Sequence, residues 1–275
     1  GVAQNIFWDS LGPTPNMGDG KSYGAFITFF QTIANGESLQ NMIFRVDRDD
    51  PTKVLNLPTM LGFFTTIAVF LIVIYVEGVR VELPVSYASY RGFRGRYPIK
   101  LLYVSNLPVI FASALFANIY FISQLLWNSF RGNFWVGLLG QYTTGEGGQL
   151  QPSGGLVYYV LSPRNIMDVQ SDPTRALVFT GIMVAFCVIF SLTWIEVGGL
   201  GPKTIAKQLV DSGMQIPGFR RSGKPIEMVL NRYIPVVTIL GGLVVGLIAA
   251  VADFFGVFGS GMGVLLTVGI LYQYY

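Results

Sequence analysis

Residues 57–76 read LPTMLGFFTTIAVFLIVIYV, a stretch without a single charged side chain. As an α-helix it would be about 30 Å long, which matches the hydrocarbon core of a bilayer. The rest of the 275-residue chain has the same character, because 52% of its residues are hydrophobic and only 12% are charged. Soluble domains carry about 25% charged residues. The sequence therefore predicts an integral membrane protein and excludes a soluble enzyme and a nucleic-acid-binding domain.

The spans and loops follow from the spacing of the apolar stretches. Proline marks the predicted first turn of two spans, at Pro58 and Pro235, where a missing backbone N–H costs nothing. Ser105 or Asn106 is the natural N-cap of another span. The predicted spans are 57–77, 105–127, 174–197, 234–258 and 259–275, and the loops between them are 13–56, 78–104, 128–173 and 198–233.

Three stretches of the loops are predicted to be ordered. Apolar residues recur at helical spacing in 23–44 and indicate a surface helix. The stretch 202–213 has the pattern of a short amphipathic helix. The loop 128–173 contains Gly-Gly pairs and the dipeptide Tyr158-Tyr159, which are typical of turns with an aromatic anchor at the membrane interface.

Loop charge predicts the orientation of the spans. Loop 78–104 contains five basic residues and one acid, and loop 198–233 contains six basic residues and two acids. The loops 13–56 and 128–173 are net acidic. Cytoplasmic loops of membrane proteins carry an excess of Lys and Arg. The two basic loops are therefore predicted to be cytoplasmic, and the two acidic loops to lie outside.

Few residues in the chain could carry chemistry. There is no histidine, and the single cysteine, Cys187, lies inside an apolar run, so histidine-based catalysis, thiolate zinc sites and disulfides within the chain are excluded. Glu77 and Glu196 lie at the ends of predicted spans, and Asp253 lies inside one, as an ion- or proton-coupling residue would. No catalytic residue, cofactor or metal is predicted. A secondary transporter with a mid-membrane acidic site is the alternative function.

Most cations of the two basic loops lie in or beside two short segments, 90–98 and 217–224, which we call the basic tips. These cations are Arg91, Arg94 and Arg96 in 90–98, Lys100 just after it, and Arg220 and Arg221 in 217–224. Guanidinium groups match phosphate geometry, so the tips could dock on an RNA-rich or acidic partner. The other interpretation is that the cations orient the spans and bind anionic lipid headgroups.

Residues 97–124, which read YPIKLLYVSNLPVIFASALFANIYFISQ, closely resemble the SecY family, the channel subunits of the general protein translocon. Further matching stretches are 193–197, 230–235, 252–254 and 261–266. The sequence of these stretches is more similar to the archaeal and eukaryotic branch of the family than to the bacterial branch. The resemblance implies an all-α polytopic membrane protein that forms half of a ten-helix clamshell channel. Residues 1–12 then end the family's fifth transmembrane helix, and the five full spans are helices six to ten. We therefore expect the carboxyl-terminal half of a longer protein.

The resemblance also implies roles for individual residues. The family closes its pore with a ring of apolar side chains, to which Ile110 and Leu266 correspond. Leu265 takes the place of Leu266 if the register shifts by one residue. Asn106 corresponds to a polar position of the lateral gate.

The gate and the docking surface are assigned by the same resemblance. The spans 105–127 and 174–197 correspond to this half's side of the lateral gate. The two basic tips correspond to the loops that dock the ribosome or a motor ATPase. Arg91 and Arg220 are the best-matched arginines within them.

By resemblance, the function is to move secretory polypeptides across a membrane and to release membrane-protein segments sideways into lipid. Energy would come from a ribosome or a motor ATPase on the cytoplasmic face. The other implied partners are a small single-span clamp subunit (SecE-like or gamma-like), a small beta-type subunit, a nascent chain with its signal sequence, the lipid bilayer and the missing amino-terminal half. The implied location is the cell membrane in a prokaryote or the endoplasmic reticulum in a eukaryote.

Overall fold

The computed structural model describes residues 5–6, 24–36, 45, 58–87, 94–101, 107–130, 133–144, 150–163, 166–212, 214–215 and 223–274. In chain order the helices are α1 (Ala25–Ala34), α2 (Met60–Gly78), α3 (Leu107–Ser129), α4 (Phe134–Leu139), α5 (Leu156–Val160), α6 (Ile166–Ser171), α7 (Pro173–Val197), α8 (Pro202–Asp211), α9 (Gly223–Phe254) and α10 (Gly261–Tyr274). The strands are β1 (Arg80–Tyr87), β2 (Arg94–Lys100), β3 (Gln141–Thr144), β4 (Leu150–Gly154) and β5 (Met214–Gln215).

The predicted polytopic helical membrane fold is confirmed. In the described part of the chain, four helices, α2, α3, α7 and α9, are long and apolar enough to cross a membrane. The fifth expected span, 259–275, contains the 14-residue helix α10, which is shorter than the roughly 20 residues that a straight crossing needs. The expected helix end at 1–12 lies outside the described residues except for 5–6. The all-α expectation did not contain the two small sheets that the described residues form.

The first span, α2, begins at Met60, about one turn after the start at 57 that was predicted from Pro58. Thr59 is the N-cap of α2, and its hydroxyl accepts a hydrogen bond from the Gly62 backbone N–H at 3.2 Å. A threonine in this position satisfies one of the N–H groups that a helix leaves free at its start. Pro58 consequently lies just outside the helix.

The fourth span begins well before its predicted start at 234. Helix α9 starts at Gly223, and Pro235 lies inside it. Proline inside a helix removes a backbone hydrogen bond and usually bends or ends the helix. Here the helix continues because packing holds it on the amino-terminal side of the proline, where Leu230 and Ile234 are fully buried.

The main core lies between the spans, with α7 packed on α3 and on α9. Two glycines of α9 bring it close to α7. A Cβ at Gly246 would lie 3.0 Å from the Cα of Val184, and a Cβ at Gly242 would lie 2.7 Å from the Oγ of Ser191. Large apolar side chains are exposed on the outside of this bundle, including Phe64, Leu71, Phe121, Leu177, Ile189 and Leu240.

The turn between α9 and α10 packs on α2. The Phe258 backbone N–H donates to the Thr66 hydroxyl at 3.0 Å. A Cβ at Gly62 would lie 2.7 Å from the carbonyl oxygen of Gly256. Gly256 and Gly259 have φ values of +63° and +84°, a region that favours glycine. The start of α10 is therefore fixed against α2.

The loop after α3 contains α4, the hairpin β3–β4, α5 and α6, on the face that also carries α1 and the α9–α10 turn. The Tyr158 hydroxyl donates to Asp172 Oδ2 at 2.5 Å. The Arg175 guanidinium lies 4.1 Å from the centre of the Tyr158 ring. The hydrogen bond to the Asp172 carboxylate, and after it burial, raises the pKa of Tyr158 above its usual value. Tyr158 is thus held by Asp172 and Arg175, while Tyr159 is 40% exposed.

A second, smaller core lies at the other end of the spans. We call this end the basic face, because β1, β2, α8 and β5 from the two basic loops lie there. The core residues are Ile99, Ile195, Ile205, Ala206, Leu209, Ile226, Leu230, Ile234 and Val237. The predicted amphipathic helix is present as α8, which buries Ile205, Ala206 and Leu209 in this core. Strands β2, β1 and β5 form an antiparallel sheet in that order.

Candidate functional site

The two predicted pore residues lie on helices that contact each other, Ile110 on α3 and Leu266 on α10. Both side chains are half-buried. The preceding residue in each case, Val109 or Leu265, is 0% exposed and belongs to the main core. Of the two possible registers on α10, the structure thus places Leu265 in the core and leaves Leu266 partly uncovered.

The two predicted gate helices, α3 and α7, pack on each other through aromatic rings. We call this contact the aromatic seam; its members are Phe111 and Phe116 on α3 and Phe179, Phe186, Phe190 and Trp194 on α7. The ring of Phe111 lies 5.6 Å from that of Trp194, and the ring of Phe116 lies 5.7 Å from that of Phe186. Such pairs contribute about 0.5–1.5 kcal/mol each beyond the area they bury. The seam holds the two helices together as one unit.

The structure joins the two basic loops in one sheet. Strand β5 comes from loop 198–233 and pairs with β1 from loop 78–104, with Gln215 opposite Ser86 and Met214 opposite Tyr87. The first basic tip follows Tyr87 in the chain, and the second follows Gln215. The two tips are therefore connected to the same end of β1.

The predicted docking cations occupy different positions relative to this sheet. Arg94 and Arg96 are in β2, opposite Ser86 and Pro84. Lys100 ends β2 opposite Arg80. Four predicted site residues lie outside the described residues: Asn106, Arg91, Arg220 and Arg221.

Lys100 has contacts within the chain. Its ammonium lies 4.9 Å from the centre of the Tyr272 ring on α10. The same tyrosine hydroxyl accepts a hydrogen bond from Arg80 Nη2 at 3.0 Å. Glu77, at the end of α2, is 5% exposed, and its Oε2 has no hydrogen-bond partner among the described residues.

The acids of the spans do not form an ion site in the described part of the chain. Asp253 Oδ1 accepts a hydrogen bond from the Gly261 backbone N–H at 2.8 Å, so it caps the start of α10. Glu196 is exposed, and Glu77 lies on the basic face. Among the described residues no group of three or more His, Cys, Asp or Glu could hold a metal ion. The secondary-transporter alternative is not supported.

Comparison with known proteins identifies the family. The SecY family profile matches residues 2–275. The chain belongs to the SecY family. Membership predicted from residues 97–124 is thereby confirmed.

Named relatives in the SecY family agree with this assignment. The protein transport protein Sec61 subunit alpha of Dictyostelium discoideum is 40% identical over 284 residues, which cover 100% of this chain and 57% of the relative. A solved structure of a protein-conducting channel is 38% identical, with a TM-score of 0.74. The match covers 99% of this chain and 55% of the channel chain. Sec61 in the canine ribosome–channel complex from the endoplasmic reticulum is 37% identical, with a TM-score of 0.68 and coverages of 99% and 55%. The chain spans about half the length of these relatives.

Sequence reasoning missed two features of this SecY-family chain. The β1–β2 hairpin was expected to be a loop, although the apolar residues at 81, 83, 85 and 87 alternate with the period of a strand. The contacts of Tyr272 with Arg80 and Lys100 join residues far apart in sequence. No local pattern could have indicated them.

Proposed function

We propose that this SecY-family chain is the carboxyl-terminal half of a protein-conducting channel, which moves secretory polypeptides across a membrane and releases apolar segments sideways into lipid. The names of two relatives, a protein transport subunit and a protein-conducting channel, support this class of function. The observation that carries the proposal is that Ile110 and Leu266 are half-buried beside fully buried neighbours.

The proposed role of these two residues is to seal the pore. A polypeptide must cross without a leak of ions, so the constriction has to be narrow and must form no specific bonds. Branched aliphatic side chains meet both needs, because they yield to any passing side chain and favour dewetting of an empty pore. Ile110 and Leu266 would supply this half's contribution to the ring.

The proposed lateral gate uses the outer side of the α3–α7 pair. Because the aromatic seam holds these helices together, the gate would open between this pair and the missing half, with Asn106 at its edge. Apolar signal segments would then move into lipid, driven by about 25 cal/mol per Å² of apolar surface removed from water.

The proposed docking surface is the basic face, with Arg91, Arg94, Arg96, Lys100, Arg220 and Arg221 as its cations. The pairing of β1 with β5 supports a single surface built from both loops. Its partner would be a ribosome, whose RNA phosphates match guanidinium groups, or a motor ATPase. In this orientation the basic face is cytoplasmic, in a cell membrane or endoplasmic reticulum. A single-span clamp subunit and a beta-type subunit complete the proposed assembly.

The function is tested by site-specific photocrosslinking in the full-length protein with an arrested secretory chain. A photoreactive residue at position 110 or 266 should crosslink to the arrested chain. The matched controls are positions 109 and 265, which are fully buried and should give background signal. Equal crosslinking at all four positions, or none at 110 and 266, would overturn the pore assignment.

A further inference from the structure

Tyr272 contacts both strands at the base of the β1–β2 hairpin. Arg80 begins β1, Lys100 ends β2, and the two residues are directly opposite in the antiparallel register. The Tyr272 hydroxyl accepts from Arg80 Nη2 at 3.0 Å, and its ring faces the Lys100 ammonium at 4.9 Å. One side chain of α10 therefore holds both ends of the hairpin.

The surroundings favour this arrangement. The Leu101 backbone N–H donates to the Val79 carbonyl at 2.9 Å, which extends the pairing just beyond the ends of the strands. Tyr272 is half-buried, whereas Arg80 and Lys100 are exposed. A tyrosine suits two cations, because its oxygen accepts a hydrogen bond while its ring face attracts a second positive charge.

We propose that Tyr272 is a positioning residue that clamps the basic hairpin onto α10, the helix that also carries Leu266. The clamp fixes the base of the hairpin, from which the tip with Arg91 extends. The effect on docking rests on the proposed function of the basic face. The clamp itself does not, because it is a contact within the chain.

A simpler role for a tyrosine at the end of an apolar helix is that of an aromatic anchor among lipid headgroups. Tyr274 provides the matched control for this role. It lies on the same helix, is 89% exposed, and makes no hydrogen bond or cation contact with the hairpin in the described part of the chain. An anchor role predicts similar effects of changes at both tyrosines, and a clamp predicts an effect at Tyr272 alone.

The test is hydrogen exchange of the hairpin amides in the full-length protein in lipid nanodiscs. Tyr272→Leu removes the ring and the hydroxyl, and exchange at the base of the hairpin should become about tenfold faster. Tyr272→Phe keeps the ring and should give an increase of about threefold. Arg80→Gln should add nothing further to Tyr272→Phe, because both changes remove the same hydrogen bond. Tyr274→Leu should leave exchange unchanged.

Ribosome affinity of the same variants separates the clamp from the docking proposal. Faster exchange with a weaker ribosome affinity in Tyr272→Leu supports both. Faster exchange with unchanged affinity supports the clamp and counts against docking through this hairpin. Unchanged exchange in both Tyr272 variants, or equal increases in Tyr272→Leu and Tyr274→Leu, overturns the clamp whatever the affinity.

Discussion

The main core and the second core of this chain are built for different surroundings. The main core is surrounded by helices whose outer side chains are apolar, such as Leu71 and Leu177. The second core is covered by the amphipathic helix α8, which buries Ile205 and Leu209 and exposes Lys203 and Lys207. The first arrangement suits lipid and the second suits water.

Different forces also hold the residues of the two cores together. Lipid tails are as apolar as leucine, so helices in a bilayer associate through close packing and hydrogen bonds. The approach of α9 to α7 at Gly242 and Gly246 is of this kind. The second core can draw on the hydrophobic effect, because its alternative surroundings are water. We therefore expect substitutions in the main core to affect the stability of the bundle, and substitutions on the basic face to affect docking.

The largest expected effect concerns the basic face. In the full-length protein, Arg91→Glu combined with Arg220→Glu should lower ribosome affinity about 100-fold at physiological salt, since each cation near a polyanion contributes about 1 kcal/mol and reversal adds repulsion. Co-sedimentation over a series of salt concentrations measures this. The thermal stability of the membrane bundle should not change.

Lys203→Glu combined with Lys207→Glu is the control for net charge, because it reverses the same number of charges as the tip variant and both lysines are exposed on the same face but outside both tips. It should weaken binding only a few-fold. Equal losses for the tip variant and the control would show that general charge, and not the tips, determines binding.

The next effect separates a proposed pore position from a core position within one helix. Val109→Asn places an unsatisfied amide in the main core, where Val109 is 0% exposed, and should cost about 2 kcal/mol and lower the folded yield. Ile110→Asn should fold normally and raise resting ion conductance, as should Leu266→Asn. Planar-bilayer recordings of the full-length protein with the proposed clamp subunit measure the conductance. Normal conductance with reduced yield would return Ile110 to the core.

A smaller effect is expected at the contact of α7 with α9. Gly246→Ala adds a Cβ 3.0 Å from the Val184 Cα and should destabilise the bundle by about 1.5 kcal/mol, because the helices must move apart. Gly181→Ala is the control, since a Cβ there has no neighbour within 4 Å. Thermal unfolding in detergent compares the two. A Gly246→Ala variant as stable as Gly181→Ala would contradict the close approach.

The smallest effect lies on the face opposite the basic face. Tyr158→Phe removes the hydrogen bond to Asp172 and should cost about 1 kcal/mol. Because the pKa of Tyr158 is raised above its usual value of 10.0, the contribution should be complete below pH 10 and should disappear as the pH rises through the raised pKa.

Unfolding of wild type and Tyr158→Phe at several pH values tests this dependence. Tyr159→Phe, on the neighbouring and more exposed tyrosine, should differ little from wild type at any pH. A deficit of Tyr158→Phe that is the same at neutral and strongly alkaline pH would count against the hydrogen bond as its cause.

The part of the fold that the sequence predicts is the part that composition determines. A long uncharged run such as 57–76 has few alternatives to a membrane helix, and the positions of four spans follow from such runs. The pore positions of Ile110 and Leu266 are predicted in a different way, by the resemblance of 97–124 and 261–266 to the SecY family.

What the sequence does not predict depends on contacts between distant residues. A proline normally begins or ends a helix, so the sequence predicts that the fourth span starts beside Pro235, and burial of Leu230 and Ile234 overrides that preference. The pairing of β5 with β1 rests on residues more than a hundred positions apart, for which no local pattern exists. The aromatic seam and the contacts of Tyr272 also join residues far apart in sequence, so no local pattern predicts them.

The length of α9 determines how far the basic face stands from the lipid. Its 32 residues give a rod of about 48 Å, whereas the hydrocarbon core is about 30 Å thick. Upright, the rod would extend roughly 10 Å past the headgroup layer on the side where it begins. The charge of Lys224, which lies at that end and is exposed, would then be about one Debye length, roughly 8 Å, from the nearest lipid phosphate. Ions in solution would screen its attraction to the membrane, and the start of α9 would remain free for a partner that approaches from the water.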